Sequence, residues 1–125
     1  MADPRAELGL RGERAAERLL KRRGLRLIQR RFACSAGEID LIMRDGECVV
    51  FVEVKTQSDD THLAPYERVT REKQRRIGRA ARFYVTNLRR PPAACRFDVV
   101  SVLLPAGQKP RVEHFPDAFI PPAWD

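Results

Sequence analysis

Hydrophobic and polar residues alternate with a period of two along Glu38 to Arg44, with Ile39, Leu41 and Met43 on one side. That pattern predicts a strand with one face turned to a core. Cys48 to Lys55 is richer in Val and Phe, as a central strand should be. Asp45-Gly46 between them is a strong hairpin signal. Leu25 to Ala33 reads as a first strand or extended connection, and Arg96 to Leu103 as another alternating strand. Helical spacing appears twice. Ala15, Ala16, Leu19 and Leu20 follow Asp3-Pro4, a cap and first-turn proline, and Gly24 ends the helix behind Lys21-Arg22-Arg23. Gly9 and Gly12 weaken its first turns, so a regular start later than Asp3 is expected. Thr70 caps a second helix to about Leu88, with Val69, Lys73, Ile77, Ala80, Ala81, Tyr84 and Leu88 as its inner stripe and Pro91-Pro92 beyond its end. Gln57 to Pro65 reads as a mobile polar loop, and the proline-rich tail from about residue 105 as irregular surface structure. The order helix, strands, helix, strand predicts one α/β domain over residues 1–125, a mixed central sheet with helices packed on it.

Composition narrows the partners. A chain of 125 residues can bury a respectable core, and a formal charge of +7, mostly from arginine, favours a polyanion. No apolar run approaches the roughly 20 residues that span a membrane. A basic helix with a strongly apolar insertion face is also missing, so a membrane-surface role is disfavoured. The N-terminus lacks the hydrophobic segment of a signal peptide. Cys34, Cys48 and Cys95 form no CxxC pair or zinc spacing and suit small core positions in a reducing compartment. The expected location is the cytoplasm.

The hairpin carries the candidate chemistry. With Asp45-Gly46 as the two-residue turn, Arg44 pairs with Glu47, Ile42 with Val49, Asp40 with Phe51 and Glu38 with Glu53. Asp40 and Glu53 are then diagonal neighbours on one face, roughly 7–8 Å apart at Cα. Lys55 alternates with Phe51 and Glu53 and shares that face. Two carboxylates and a lysine can hold a divalent cation and polarise a phosphate ester; Mg²⁺ takes few carboxylates and keeps several waters. The simpler reading is a solvated face with Glu53 paired to Lys55. Phe51 and Val49 weigh against it, since unpaired carboxylates on a partly buried face are costly.

Glu13 in the first helix, Gly37-Glu38-Ile39-Asp40 and Phe51-Val52-Glu53-Val54-Lys55-Thr56 together resemble the PD-(D/E)XK nuclease superfamily, and more closely the YraN-like family of bacterial proteins. The likeness extends to Gly12-Glu13, Lys73, Arg96-Phe97-Asp98-Val99 and Asp117-Ala118-Phe119, nearly the whole chain. It implies a restriction-endonuclease-like core similar to archaeal Holliday junction resolvases. By that resemblance Glu13, Asp40 and Glu53 would hold Mg²⁺ or Mn²⁺, and Lys55 would complete the catalytic set. Ile39 stands where the superfamily motif has proline. Read without the resemblance, Glu13 is an ordinary helix charge beside the apolar stripe, paired with Arg14 or Arg18.

Arginines load the second helix. Arg71, Arg75, Arg79 and Arg82 recur at helical spacing, and with Lys73 and Arg76 they form a ridge suited to phosphate contacts. Lys21, Arg22, Arg23, Arg30 and Arg31 form a second cluster, equally well explained as charge complementing a helix C-terminus. His62 and His114 are lone histidines, Asp98 is not expected to be catalytic, and Tyr66 and Trp124 lack the spacing of a base-stacking surface. The expected function is metal-dependent hydrolysis of DNA phosphodiester bonds, selective for junctions or flaps. The alternative is a nucleic-acid-binding module that keeps the fold without turnover. Related resolvases act as dimers, so a homodimer is an assembly the resemblance implies.

Overall fold

The computed structural model describes residues 3–58 and 69–124. Helix α1 (Pro4–Arg22) leads into a meander of β1 (Arg26–Cys34), β2 (Gly37–Asp45) and β3 (Cys48–Gln57). Helix α2 (Arg71–Thr86) crosses to β4 (Ala94–Leu103), and β5 (Arg111–Phe119) follows. The five strands form one sheet in the order β1-β2-β3-β4-β5. Only β3 and β4 are parallel, as expected where a helix connects neighbouring strands. The mixed α/β sheet matches the expectation from sequence.

Alternation along β3 separates two cores. Val50 and Val52 pack with Ala15, Ala16 and Leu20 of α1, whereas Val49 and Phe51 pack with Ile77, Ala80 and Ala81 of α2. The helices therefore cover opposite faces. Asp3 caps α1 through a bond from the Arg5 N–H to its carboxylate, and Pro4 occupies the first turn. The helix runs regularly from there, so Gly9 and Gly12 do not delay it. Gly12 instead serves packing: a Cβ there would overlap the Thr56 side chain, so glycine lets α1 lie this close to β3. Helix α2 starts at the Thr70 cap as expected and ends at Thr86, two residues before Leu88.

Three further expectations need correction. First, the region after residue 105 is not irregular throughout, because residues 111–119 form strand β5. An edge strand tolerates Pro116, and the register break between Phe97 and Val99 absorbs an irregularity around Asp117, whose φ is 51°. Second, the hairpin pairs Asp45 with Cys48, which makes Gly46-Glu47 the loop. Gly46 has a φ of 59° and Glu47 does not share the positive φ, the arrangement that places glycine first in a two-residue turn. Third, Ile39 does not share a face with Leu41 and Met43. It lies in the core under α2, and they lie in the core under α1. The loop expected at 57–65 starts later, since β3 runs through Gln57, and from 59 onward it falls outside the described residues, as do His62 and Tyr66.

Candidate active site

The corrected hairpin frame sharpens the arrangement. It moves every pairing by two residues, so the faces are kept. Leu41 pairs with Val52, and the same frame sets Asp40 directly against Glu53 instead of diagonal to it. Glu38 does not oppose Glu53: it lies beyond the last pair of that ladder and acts on Glu13 and Arg31. Asp40 is fixed where the ladder opens: its Oδ2 accepts the Val54 N–H at 2.8 Å. A ladder N–H is thereby spent on orienting a carboxylate, a strong bond because the acceptor is charged.

Glu53 is the most perturbed acid of the cluster. It is 6% exposed, on the face covered by α2. Burial and the neighbouring Asp40 push its pKa up to about 8, against the partial relief of Lys73 and Lys55. The Lys73 Nζ stands 3.8 Å from Glu53 Oε1, at the outer limit of an ion pair. Lys73 thus points at the acid from α2, a placement that makes it part of this cluster more than of an outer ridge. Lys55 is half-buried one alternation further along β3.

Glu13 reaches the same region from α1, on the other side of the sheet. Arg31 Nε donates to its Oε1 at 2.9 Å. Burial raises the Glu13 pKa, the Arg31 hydrogen bond opposes the rise, and Asp40 and Glu38 add to it. Asp40 is therefore felt by both Glu13 and Glu53. It can face both because β2 is puckered there: Ile39 and Leu41, on either side of it, enter different cores. Across from this pucker, β1 is irregular too, with Arg31 at a φ of 50°.

Asp40 and Glu53 are converging oxygen donors with excess negative charge, which fits a hard divalent cation. Glu13 is held by Arg31. Among the described residues, no group of three or more His, Cys, Asp or Glu side chains stands close enough to hold one ion. The set of four expected from sequence is thus assembled in two parts: Asp40, Glu53 and Lys55 together, and Glu13 beside Asp40 on a salt bridge.

The arginines of α2 lie where the helical spacing placed them. Arg71, Arg75, Arg76, Arg79 and Arg82 are exposed, and Glu72 makes only long contacts with Arg75 and Arg76, at 3.9 and 3.6 Å. Arg82 is partly engaged. It donates to the Ala123 carbonyl at 3.0 Å and lies 4.8 Å over the Trp124 ring. Trp124 itself docks in a notch that Gly78 leaves open, donating to the Gly78 carbonyl at 2.9 Å. Its ring packs against Phe51 and Phe97, so it belongs to the core and not to a stacking surface.

A second charged group went unseen in the sequence. Asp98 on β4 is fully buried and accepts from Arg96 at 3.0 and 3.2 Å, from His114 at 2.7 Å and from the Asp117 N–H at 2.8 Å. Arg96 also donates to Asp45 at 2.9 Å. Arg23 approaches His114 Nδ1 at 3.0 Å, so Nδ1 is the acceptor and Nε2–H faces Asp98. Burial alone would raise the Asp98 pKa, but its hydrogen bonds from His114, Arg96 and the Asp117 backbone bring it below the ordinary carboxylate value. The sequence named these residues separately, Arg96-Phe97-Asp98-Val99 and Asp117-Ala118-Phe119 as parts of the likeness and His114 as a lone histidine, and His114 is instead bound to Asp98.

A five-stranded mixed sheet between two helices, with acids and a lysine where β2 and β3 part, defines a protein with a restriction-endonuclease-like core. Residues 12–102 match the family described as Uncharacterised protein family UPF0102. A UPF0102 protein of Geobacter metallireducens is 43% identical over 112 residues, covering 90% of this chain and 91% of that protein. One from Pelotomaculum thermopropionicum is 39% identical over 120 residues, covering 95% and 100%. One from Rhodopirellula baltica is 46% identical over 121 residues, covering 94% and 72%. The chain belongs to the UPF0102 family, the YraN-like family its motifs resemble. No helix among the described residues is long and apolar enough to cross a membrane.

Proposed function

We propose that the protein is a metal-dependent nuclease that hydrolyses DNA phosphodiester bonds, with junctions or flaps as preferred substrates. One observation carries the reading: two carboxylates, Asp40 and Glu53, face each other at the opening of β2 and β3, with Glu53 buried and its pKa driven to about 8. Such a repulsive pair is costly in a fold and is expected mainly where function needs it. Asp40 and Glu53 would hold Mg²⁺ or Mn²⁺, with Glu13 as a third donor. When bound, the ion would stabilise charge on the phosphate and supply an acidified water.

The chain's own residues have distinct tasks. The Val54 N–H fixes the direction of Asp40. Lys55, on the face of Glu53, would hold the scissile phosphate or orient the attacking water. Lys73 offsets the charge of Glu53 from α2. The exposed arginines Arg71, Arg75, Arg76 and Arg79 would follow the strand through phosphates, with Arg82 partly committed to the C-terminal segment, so binding should weaken steeply with salt. A cytoplasmic setting and a homodimer suit this role.

The second reading is a nucleic-acid-binding module without turnover. It is favoured by the Arg31–Glu13 salt bridge, which leaves the acids in two parts. A cleavage assay separates the two. Wild type, Glu53→Ala and Lys55→Ala are incubated with single-stranded, duplex, flap and junction DNA in Mg²⁺ or Mn²⁺. Cleavage by wild type alone supports the nuclease. Tight binding with no cut on any substrate supports the module, and cutting that survives in both variants marks contamination.

A further inference from the structure

We propose that Arg31 is a positioning residue that occupies Glu13 as an internal cation and must release it before a divalent ion can draw on all three acids. This rests on the ion reading of Asp40 and Glu53 above. The motivating observation is a break in strand alternation. Arg30 and Arg31 are consecutive residues of β1, so a regular strand would send them to opposite faces. Both reach α1 instead. Arg30 grips Glu17 through two bonds at 2.8 and 2.9 Å, and Arg31 grips Glu13 at 2.9 Å, one helical turn away. The left-handed backbone of Arg31, φ 50°, accompanies this double engagement.

A non-glycine residue at positive φ is strained unless it has local compensation, and such strain concentrates at functional sites. The Arg31 side chain is 57% exposed, and a salt bridge so open to solvent contributes little to stability by itself. Charge offers a better account. Arg31 stands among Glu13, Asp40 and Glu38, all of which act on its guanidinium. It is the cation nearest the acid that the other two lack. The contact also opens onto a cleft of about 390 Å³ between α1 and β1, whose walls include Arg14 and Arg18. The guanidinium has room to leave Glu13 without disturbing a core.

Arg30 and Glu17 provide the internal contrast. That pair is bidentate and is joined by Lys21 at 2.7 Å, so Glu17 is doubly compensated and its pKa is lowered, chiefly by the Arg30 hydrogen bond. Glu13 is met by Arg31 through one bond at 2.9 Å, without the second arm and the lysine that hold Glu17.

The test is Mn²⁺ binding to the ion-free protein, read from the spin-resonance signal of free Mn²⁺, without DNA. Arg31→Gly suits the left-handed backbone and removes the guanidinium, and Arg31→Gln keeps much of the side chain. Thermal melts establish that each variant is folded. Both variants should bind Mn²⁺ tighter than wild type, on the order of fivefold to tenfold, as for one charge-assisted bond released. Adding Glu13→Gln should erase that gain. Wild-type affinity in the Arg31 variants, or a gain that survives Glu13→Gln, overturns the proposal and leaves the ion reading standing. No Mn²⁺ binding by wild type or variants at millimolar ion overturns both.

Discussion

Asp98 and Glu53 are both buried acids on adjacent parallel strands, and their surroundings are opposite. Asp98 receives a guanidinium, an imidazole N–H and a backbone N–H at bonding distance. Glu53 faces another carboxylate and has a lysine only at 3.8 Å. The first is a finished network that ties β4 to β5, to the hairpin through Asp45 and to the end of α1 through Arg23. The second is short of positive charge. Burial alone does not mark a functional acid; burial without compensation does.

The largest effect should come from breaking the finished network. Asp98→Ala leaves Arg96 without its buried partner and the Asp117 N–H without an acceptor. It should destabilise the fold by about 3–5 kcal/mol, read by urea unfolding. A loss under 1 kcal/mol would mean that the network is ornamental.

Glu53→Gln should do the reverse. It removes a buried charge that repels Asp40, so the ion-free variant should be more stable than wild type by about 2 kcal/mol near pH 8, while cleavage is lost. The pH dependence separates the two acids further. Glu53 has a folded pKa of about 8, above its unfolded value. Its favourable contribution is therefore fully present below the unfolded carboxylate pKa and is lost as pH rises through 8. Asp98 has a lowered folded pKa, so its contribution is present above the unfolded value and is lost as pH falls through the folded one. Wild-type melting points measured against pH should show both slopes, and Glu53→Gln should flatten only the one between 4.5 and about 8.

Gly12→Ala probes how α1 delivers Glu13. The added methyl meets Thr56, so a loss of about 1–3 kcal/mol is expected, and Thr56→Ala in the same chain should recover part of it. The smallest effect concerns the outer ridge. Arg75→Ala with Arg79→Ala should leave stability within about 0.5 kcal/mol and reduce the salt slope of DNA binding by roughly 0.9 for each phosphate no longer neutralised. An unchanged slope would remove the ridge from the binding surface.

Much of this was legible in the chain. Strand alternation predicted β2, β3 and β4, and caps predicted both helices. The turn was misplaced by an even number of residues, so Asp40 still meets Glu53, although the pucker at Asp40 breaks the strict alternation that the expected shared face assumed. The turn itself was ambiguous: Asp-Gly and Gly-Glu both offer a two-residue loop, and the choice lies in which residue takes positive φ. Strand β5 was hidden because prolines on either side and within it lower local propensity, while pairing with β4 supplies what the segment lacks. The Asp98 network joins residues up to 91 positions apart, from Arg23 to His114, and no local pattern encodes that. Arg31 was missed for a related reason. A left-handed residue inside a strand breaks the alternation on which the reading of that strand depends.

If Asp40 and Glu53 are an ion site, a proton on Glu53 relieves its ion-free state. Calorimetric titration of Mn²⁺ at pH 7, repeated in buffers of different ionisation enthalpy, measures this directly. One ion per chain should bind with release of nearly one proton per ion, as Glu53 gives up its proton to become a ligand, and Glu53→Gln should show neither binding nor release. Binding without proton release, or binding that Glu53→Gln leaves unchanged, would contradict the ion reading.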